Sequence, residues 1–304
     1  MHPSTLPALV ATLRLPFLAL TPACVALGLA LAWADAGALA WPRAALVLLG
    51  ALAAHASVNV LNEWHDARSG LDALTQRTPF SGGSGALPAT PGALGAALVL
   101  GCALLAVAAA CGLILLWALP MAARLALLPL GLAGLALIVA YTPWITRHPL
   151  ACLLAPGLGF GPLMVLGTQL ALTGRFSHAG LLVSVLPWCG VSGLLLLNQF
   201  PDVDADRAVG RRHLPMLWGR PRAARLLAAL LALAPAVLLA GVLARWLPPG
   251  AALGLLTAPQ AWQVARGAIA HADDLPALLP TMGRNVVLTL LTPLLVATGL
   301  WAWP

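Results

Sequence analysis

Charge is what this sequence has least of. Of its 304 residues only 8% are charged, none is Lys, and there are nine acids, a single Glu and a single Tyr. A soluble domain carries about 25% charged residues. A chain that is 61% apolar, with a mean hydropathy of +0.94, has too few polar groups to cover itself in water. The shortage excludes the soluble enzyme classes. It also argues against nucleic acid as a partner, because the 16 cations, all Arg, fall in short segments between apolar runs and not on one face. Close cysteine pairs are missing too. Cys24, Cys102, Cys111, Cys152 and Cys189 never approach C-x-x-C spacing, which excludes a thiol metal or redox motif; each reads as a small buried side chain. The glycine-rich run Ser81–Gly85 lacks the G-x-x-x-x-G-K-[ST] pattern, so a nucleotide P-loop is excluded. That run either presents N–H groups to phosphate or is a flexible loop.

What is present is length of apolar sequence. About 20 apolar residues cross a hydrocarbon core of roughly 30 Å. Windows of that kind lie near 15–34, 43–62, 93–117, 122–142, 150–173, 179–198, 223–247, 251–269 and 285–303. The reading is an all-α integral membrane protein with about nine transmembrane helices in a single domain, 1–304. Strands are not expected, since the runs are too long and unalternating for a barrel. The 251–269 window is the weakest, interrupted by Gln260, Gln263 and Arg266. The run from Leu15 to Ala34 exceeds the h-region of a signal peptide and reads as the first span. With the N-terminus in the cytoplasm, 12 of the 16 Arg fall on the cytoplasmic side, which predicts N-in and C-out. The expected setting is multi-pass, in a bacterial inner membrane.

Six of the nine acids fall in two short clusters, Glu63 to Asp72 and Asp202 to Asp206. Acids near membrane depth cost about 2.5–3.5 kcal/mol each. Residues four apart share a helical face. That relation links Asn62 to Asp66, and Asn198 to Asp202 to Asp206, while Asp204 points away. Both clusters read Asn-x-x-x-Asp, both end even-numbered spans, and an even number of spans puts them on one side of the membrane. Oxygen ligands of this kind suit Mg²⁺, which takes one or two carboxylates plus phosphate oxygens. Arg68, Arg77, Arg211 and Arg212 supply countercharge for a diphosphate. Together with an apolar bundle, the pattern predicts a lipid diphosphate as substrate.

At these residues the chain resembles the UbiA superfamily of intramembrane prenyltransferases. The resemblance rests on Asn62-Glu63-Trp64-His65-Asp66 paired with Asp202-Val203-Asp204-Ala205-Asp206. Supporting stretches are Arg14-Leu15-Pro16, Tyr141-Thr142, and Gly159-Phe160-Gly161-Pro162-Leu163 through Gly167-Thr168. It implies Mg²⁺ on Asn62, Glu63, Asp66, Asp202 and Asp206. It implies catalytic roles for Asp66, Asp202 and Tyr141, and substrate contacts from Arg68, Asp72, Arg77, Asn198, Arg211 and Arg212. The substrates would be a polyprenyl diphosphate and an aromatic acceptor. Two departures stand out: Glu63 replaces the usual first Asp, and Arg211-Arg212 replaces the Lys that often follows the second motif. The segment Asp66–Asp72, then Arg77 to Gly85, looks most like the branch that prenylates 1,4-dihydroxy-2-naphthoate in menaquinone synthesis. Other acceptors, such as 4-hydroxybenzoate or homogentisate, remain open, as does a membrane terpene cyclase. A secondary transporter is the non-enzyme alternative, disfavoured because the acids lie at span ends and not at the midplane. His65 reads as a helix-end residue, His55 as a packed polar residue and His213 as part of a cytoplasmic loop.

Overall fold

The computed structural model describes residues 5–303. Its helices in chain order are α1 (Thr5–Thr12), α2 (Leu15–Leu18), α3 (Leu20–Ala36), α4 (Trp41–Ser69), α5 (Leu71–Leu74), α6 (Ala86–Ala89), α7 (Leu94–Trp117) and α8 (Met121–Tyr141). There follow α9 (Pro149–Leu158), a π-helical stretch (Gly159–Leu166), α10 (Gly167–Thr173), α11 (His178–Asn198), α12 (Val203–Ala208), α13 (Leu214–Trp218) and α14 (Arg220–Leu243). A 3₁₀ stretch (Pro249–Thr257), α15 (Ala258–Ala270) and α16 (Leu275–Ala302) complete the chain. No strand occurs among the described residues. The protein is a multi-pass, all-helical membrane protein.

Seven helices are long and apolar enough to span a membrane, and the bent pair Thr5–Leu18 plus Leu20–Ala36 makes an eighth. The 251–269 window is helical but is not among them; its Gln and Arg side chains dilute the apolar run. The first span also differs from the continuous helix expected at 15–34. Arg14 adopts a left-handed backbone (φ 52°), and the chain bends by 40° between α2 and α3. Pro22 accounts for the second break: it has no N–H for the carbonyl four residues back, so the helix restarts at Leu20. Pro162 has the same effect inside the fifth span. There the helix widens to π geometry over Gly159–Leu166, a bulge that re-aims side chains.

Packing is uneven. The dense part centres on α3, α11 and α16, where Leu27, Leu31, Val191, Val296 and Leu300 are almost fully enclosed. Small residues allow the close approaches. Gly250 and Gly299 bring the backbones of the 3₁₀ stretch and α16 together so tightly that a Cβ on either would strike the other's carbonyl. By contrast α8 buries only Ala123 and leaves about half of its residues exposed. Trp33 stacks on Trp301 at 4.8 Å, with Trp41 alongside. These ring planes gather at the end of the bundle away from Asp66, as interfacial anchors do.

Candidate active site

A cavity of about 760 Å³ runs from the C-terminal end of α4 down between α4, α8, the π-helical stretch and α11. Its deep walls are aliphatic. Its mouth is not: Asp66, Asp72, Asp202 and Asp206 face it together with Arg14 and Arg211. Four carboxylates against two guanidiniums leave a formal excess of two negative charges.

Helix α4 continues without interruption to Ser69, so Asn62 and Asp66 do share one face, as their spacing predicts. Asn62 donates to Thr142 Oγ1 at 3.1 Å, which ties α4 to the end of α8. The second cluster arrives differently. Helix α11 stops at Asn198, Pro201 lies in the following turn, and Asp202 precedes the first residue of α12. Asn198, Asp202 and Asp206 all line the cavity nonetheless. Asp204 points outward and pairs with Arg207 on the surface.

One guanidinium joins the two clusters. Arg211 bonds Asp66 through one nitrogen and Asp206 at 3.1 Å through another. Asp206 in turn meets His213 Nε2 at 3.0 Å in a fully enclosed contact. Burial opposes the charge on Arg211, but Asp66 and Asp206 outweigh it and raise its pKa. Asp202 and Asp72 form no direct ion pair among the described residues, and burial outweighs the arginines near them. Burial, with the neighbouring charge of Asp206, pushes Asp202 up to about 7. Burial, with the charge of Glu63, pushes Asp72 up to about 6. Three side-chain oxygens at this mouth, Asp72 Oδ2, Asn198 Oδ1 and Asp202 Oδ1, are enclosed and lack a hydrogen-bond partner among the described residues. Orphaned acceptors are costly, and an all-oxygen donor set with excess negative charge is what a hard divalent cation satisfies. The acids are not gathered into a ready-made cluster of three or more around one point; Arg211 stands between two of them.

The structure separates the other expected residues. Tyr141 lines the cavity. Glu63 is enclosed but does not face it: Oε1 accepts from Arg14 Nε at 2.8 Å and from the Ser84 N–H at 2.8 Å, and Oε2 from the Ser84 hydroxyl at 2.7 Å. Both its oxygens are thus in use, pinning the glycine-rich loop to α4. That loop is a defined turn, with left-handed backbone at Gly82, Gly83 and Gly85. A side chain at Gly83 would press on the Asp72 and Glu63 carboxylates. Arg68 is exposed and stacks on Trp64 at 4.7 Å. Arg77 is exposed, its guanidinium folded over Gly85. Arg212 is exposed too, and only its backbone is held, by Thr146. None of these three reaches the cavity wall. The cation that sequence reasoning passed over as a site residue is Arg14. Its signal was a lone Arg ahead of the first apolar run, followed by Pro16.

The model of the UbiA prenyltransferase family matches residues 19–287. A solved structure of digeranylgeranylglyceryl phosphate synthase is similar over 98% of this chain and 99% of its own, at 14% identity and a TM-score of 0.66. A UbiA homologue from Archaeoglobus fulgidus, bound to DMAPP and Mg²⁺, is similar over 95% of this chain and 99% of its own (15% identity, TM-score 0.58). The same homologue bound to GPP and Mg²⁺ gives a TM-score of 0.57 at 15% identity, over 96% of this chain and 99% of its own. At these identities the likeness carries the fold. No curated relative matches the sequence.

Proposed function

The chain belongs to the UbiA prenyltransferase family, and from that membership we propose that it transfers a polyprenyl group from its diphosphate to an aromatic acceptor, with Mg²⁺ as cofactor. The observation that carries the reading is the joining of the two acidic stretches through Arg211 at the mouth of a long apolar cavity. A diphosphate and four carboxylates repel one another, so the pair needs a cation between them. Asn62, Asp66, Asp202 and Asp206 would hold it, with Asp72 and Asn198 facing the same space. The Archaeoglobus homologue, solved with prenyl diphosphates and Mg²⁺, supports that choice. A bound divalent cation supplies positive charge to the diphosphate oxygens as the leaving group departs.

The chain's own groups do the rest. Arg14 and Arg211 donate to diphosphate oxygens, where negative charge develops. Arg211 exchanges a carboxylate partner for phosphate as it does so. The aliphatic walls below hold the hydrocarbon tail and keep bulk water from the allylic carbon. Tyr141 lies at the wall where the two regimes meet. The acceptor attacks through a ring carbon, which then sheds its proton or, in 1,4-dihydroxy-2-naphthoate, its carboxylate as CO₂; the sequence from Asp66 through Gly85 favours that acceptor, in menaquinone synthesis. The chain works as one transmembrane domain, N-terminus and acidic mouth in the cytoplasm of a bacterial cell.

The test is direct. Purified protein given geranyl diphosphate, Mg²⁺ and a candidate acceptor releases diphosphate, and a chelator stops the release. Mass spectrometry with candidate acceptors then identifies the product. A hydrocarbon product with no acceptor incorporated would make the protein a cyclase, and no diphosphate release at all would end the transferase reading for these substrates.

A further inference from the structure

Below the mouth, the cavity wall on α4 carries a stripe of polar residues at helical spacing: Asp66, Asn62, Asn59 and His55 all face the same space. The stripe ends at His55, about 10 Å along the helix axis from Asn62 and about 16 Å from Asp66. His55 is 8% exposed and sits among aliphatic walls, where a polar group needs a partner. One of its nitrogens has one: Nδ1 lies 2.8 Å from Thr21 Oγ1 on α3.

The surroundings favour one tautomer. Thr21 is fully enclosed, and its hydroxyl has no other partner among the described residues, unlike Thr168 and Thr289, which bond carbonyls of their own helices. The Thr21 hydrogen therefore goes to Nδ1, and in the neutral ring the proton sits on Nε2. Thr21 does not line the cavity whereas His55 does, so the ring edge bearing Nε2–H is the one turned to the open space. That N–H has no partner among the described residues. Phe160 holds the ring from the side, edge to face at 4.8 Å. Phe160 belongs to the π-helical stretch, and such bulges accompany functional sites.

We propose that His55 and Thr21 form the seat for an oxygen of the acceptor. The Nε2–H donates to a hydroxyl or oxo oxygen on the ring edge farthest from the diphosphate, and Thr21 keeps the imidazole in the donating form. The inference rests on the prenyl-transfer reading and narrows it: the acceptor is an oxygenated arene that stands on edge between the mouth and His55, with the attacked carbon uppermost. His55 is a binding residue here and Thr21 a positioning residue.

The experiment uses the purified full-length protein with geranyl diphosphate, Mg²⁺ and three acceptors in turn: 1,4-dihydroxy-2-naphthoate, 4-hydroxybenzoate and homogentisate. Losing one hydrogen bond raises a Michaelis constant by about tenfold. His55→Leu should raise KM for whichever acceptor is prenylated by about that factor. It should leave KM for geranyl diphosphate near the wild-type value. His55→Gln retains an N–H donor and should recover most of the loss; Thr21→Val should show a smaller rise. Should His55→Leu melt early, a wild-type comparison serves instead: naphthalene-2-carboxylate should bind about tenfold more weakly than the dihydroxy compound. An unchanged acceptor KM in a folded His55→Leu protein overturns the proposal. So does a shift in the geranyl diphosphate KM alone, which would assign His55 to the hydrocarbon tail. Diphosphate release with no acceptor prenylated removes the acceptor seat but leaves the diphosphate site standing. No release in the wild type removes the transfer reading, and this inference with it.

Discussion

The two acidic stretches share one pattern and are built in opposite ways. Asn62 and Asp66 ride the last turns of an unbroken α4, so their positions are set by helix geometry. Asn198, Asp202 and Asp206 cross a break between α11 and α12, so their positions are set by a turn and by what holds it. Arg211, itself on the loop after α12, bonds both sides. The first stretch is a rigid wall and the second an adjustable one, and a single guanidinium keeps them in register when no other cation is there.

The largest expected effect removes either side. Asp66→Ala and Asp202→Ala should each lower transfer by about 1,000-fold, the upper range for deleting one charge-stabilising group, while gel filtration in detergent shows a folded protein. Unequal losses would show that one wall outranks the other. Next comes the tie itself. Arg211→Gln leaves two enclosed carboxylates without their partner, which costs about 3 kcal/mol. Thermal unfolding without divalent cation should register that loss, and added Mg²⁺ should return part of it. Glu63→Gln acts on the first wall alone, by loosening Arg14 and the Ser84 loop, at about 2 kcal/mol; a melting curve measures it. The pH dependence sharpens the comparison further. Asp202 and Asp72 hold protons more tightly folded than unfolded, up to about 7 and about 6. The cation-free protein should therefore lose stability as pH rises from about 4 to 7. Mg²⁺ needs the ionised carboxylates, so its stabilising effect should grow over the same window, and melting curves with and without Mg²⁺ should diverge toward high pH. The smallest effect is the control. Asp204→Asn, on the outward face of α12, should change stability by no more than about 0.5 kcal/mol and leave turnover alone.

The same contrast explains what could be read in advance. Spacing placed Asn62 and Asp66 on one face because the helix beneath them is continuous. It brought Asn198, Asp202 and Asp206 to the same mouth although the helix assumed there does not exist: Pro201 lies in the break, and the turn keeps the three residues on the cavity side. The arginines were harder. All four that were expected at the diphosphate are near it in sequence, yet only Arg211 turns inward, since Trp64 draws Arg68 away and Gly85 leaves room for Arg77 to fold aside. Nothing local marks Glu63 as the partner of Ser84, 21 residues on. The bend in the first span was visible in Pro16 and Pro22, but unbroken apolarity masked it.

Helix α8 contributes one enclosed residue, Ala123, and yet forms a side of the chamber. A partition so lightly attached yields at small cost, whereas the oxygens at the rim are braced by ion pairs and turns. The rim is thus the braced part of the chamber, and the wall that α8 forms is its loosely packed part.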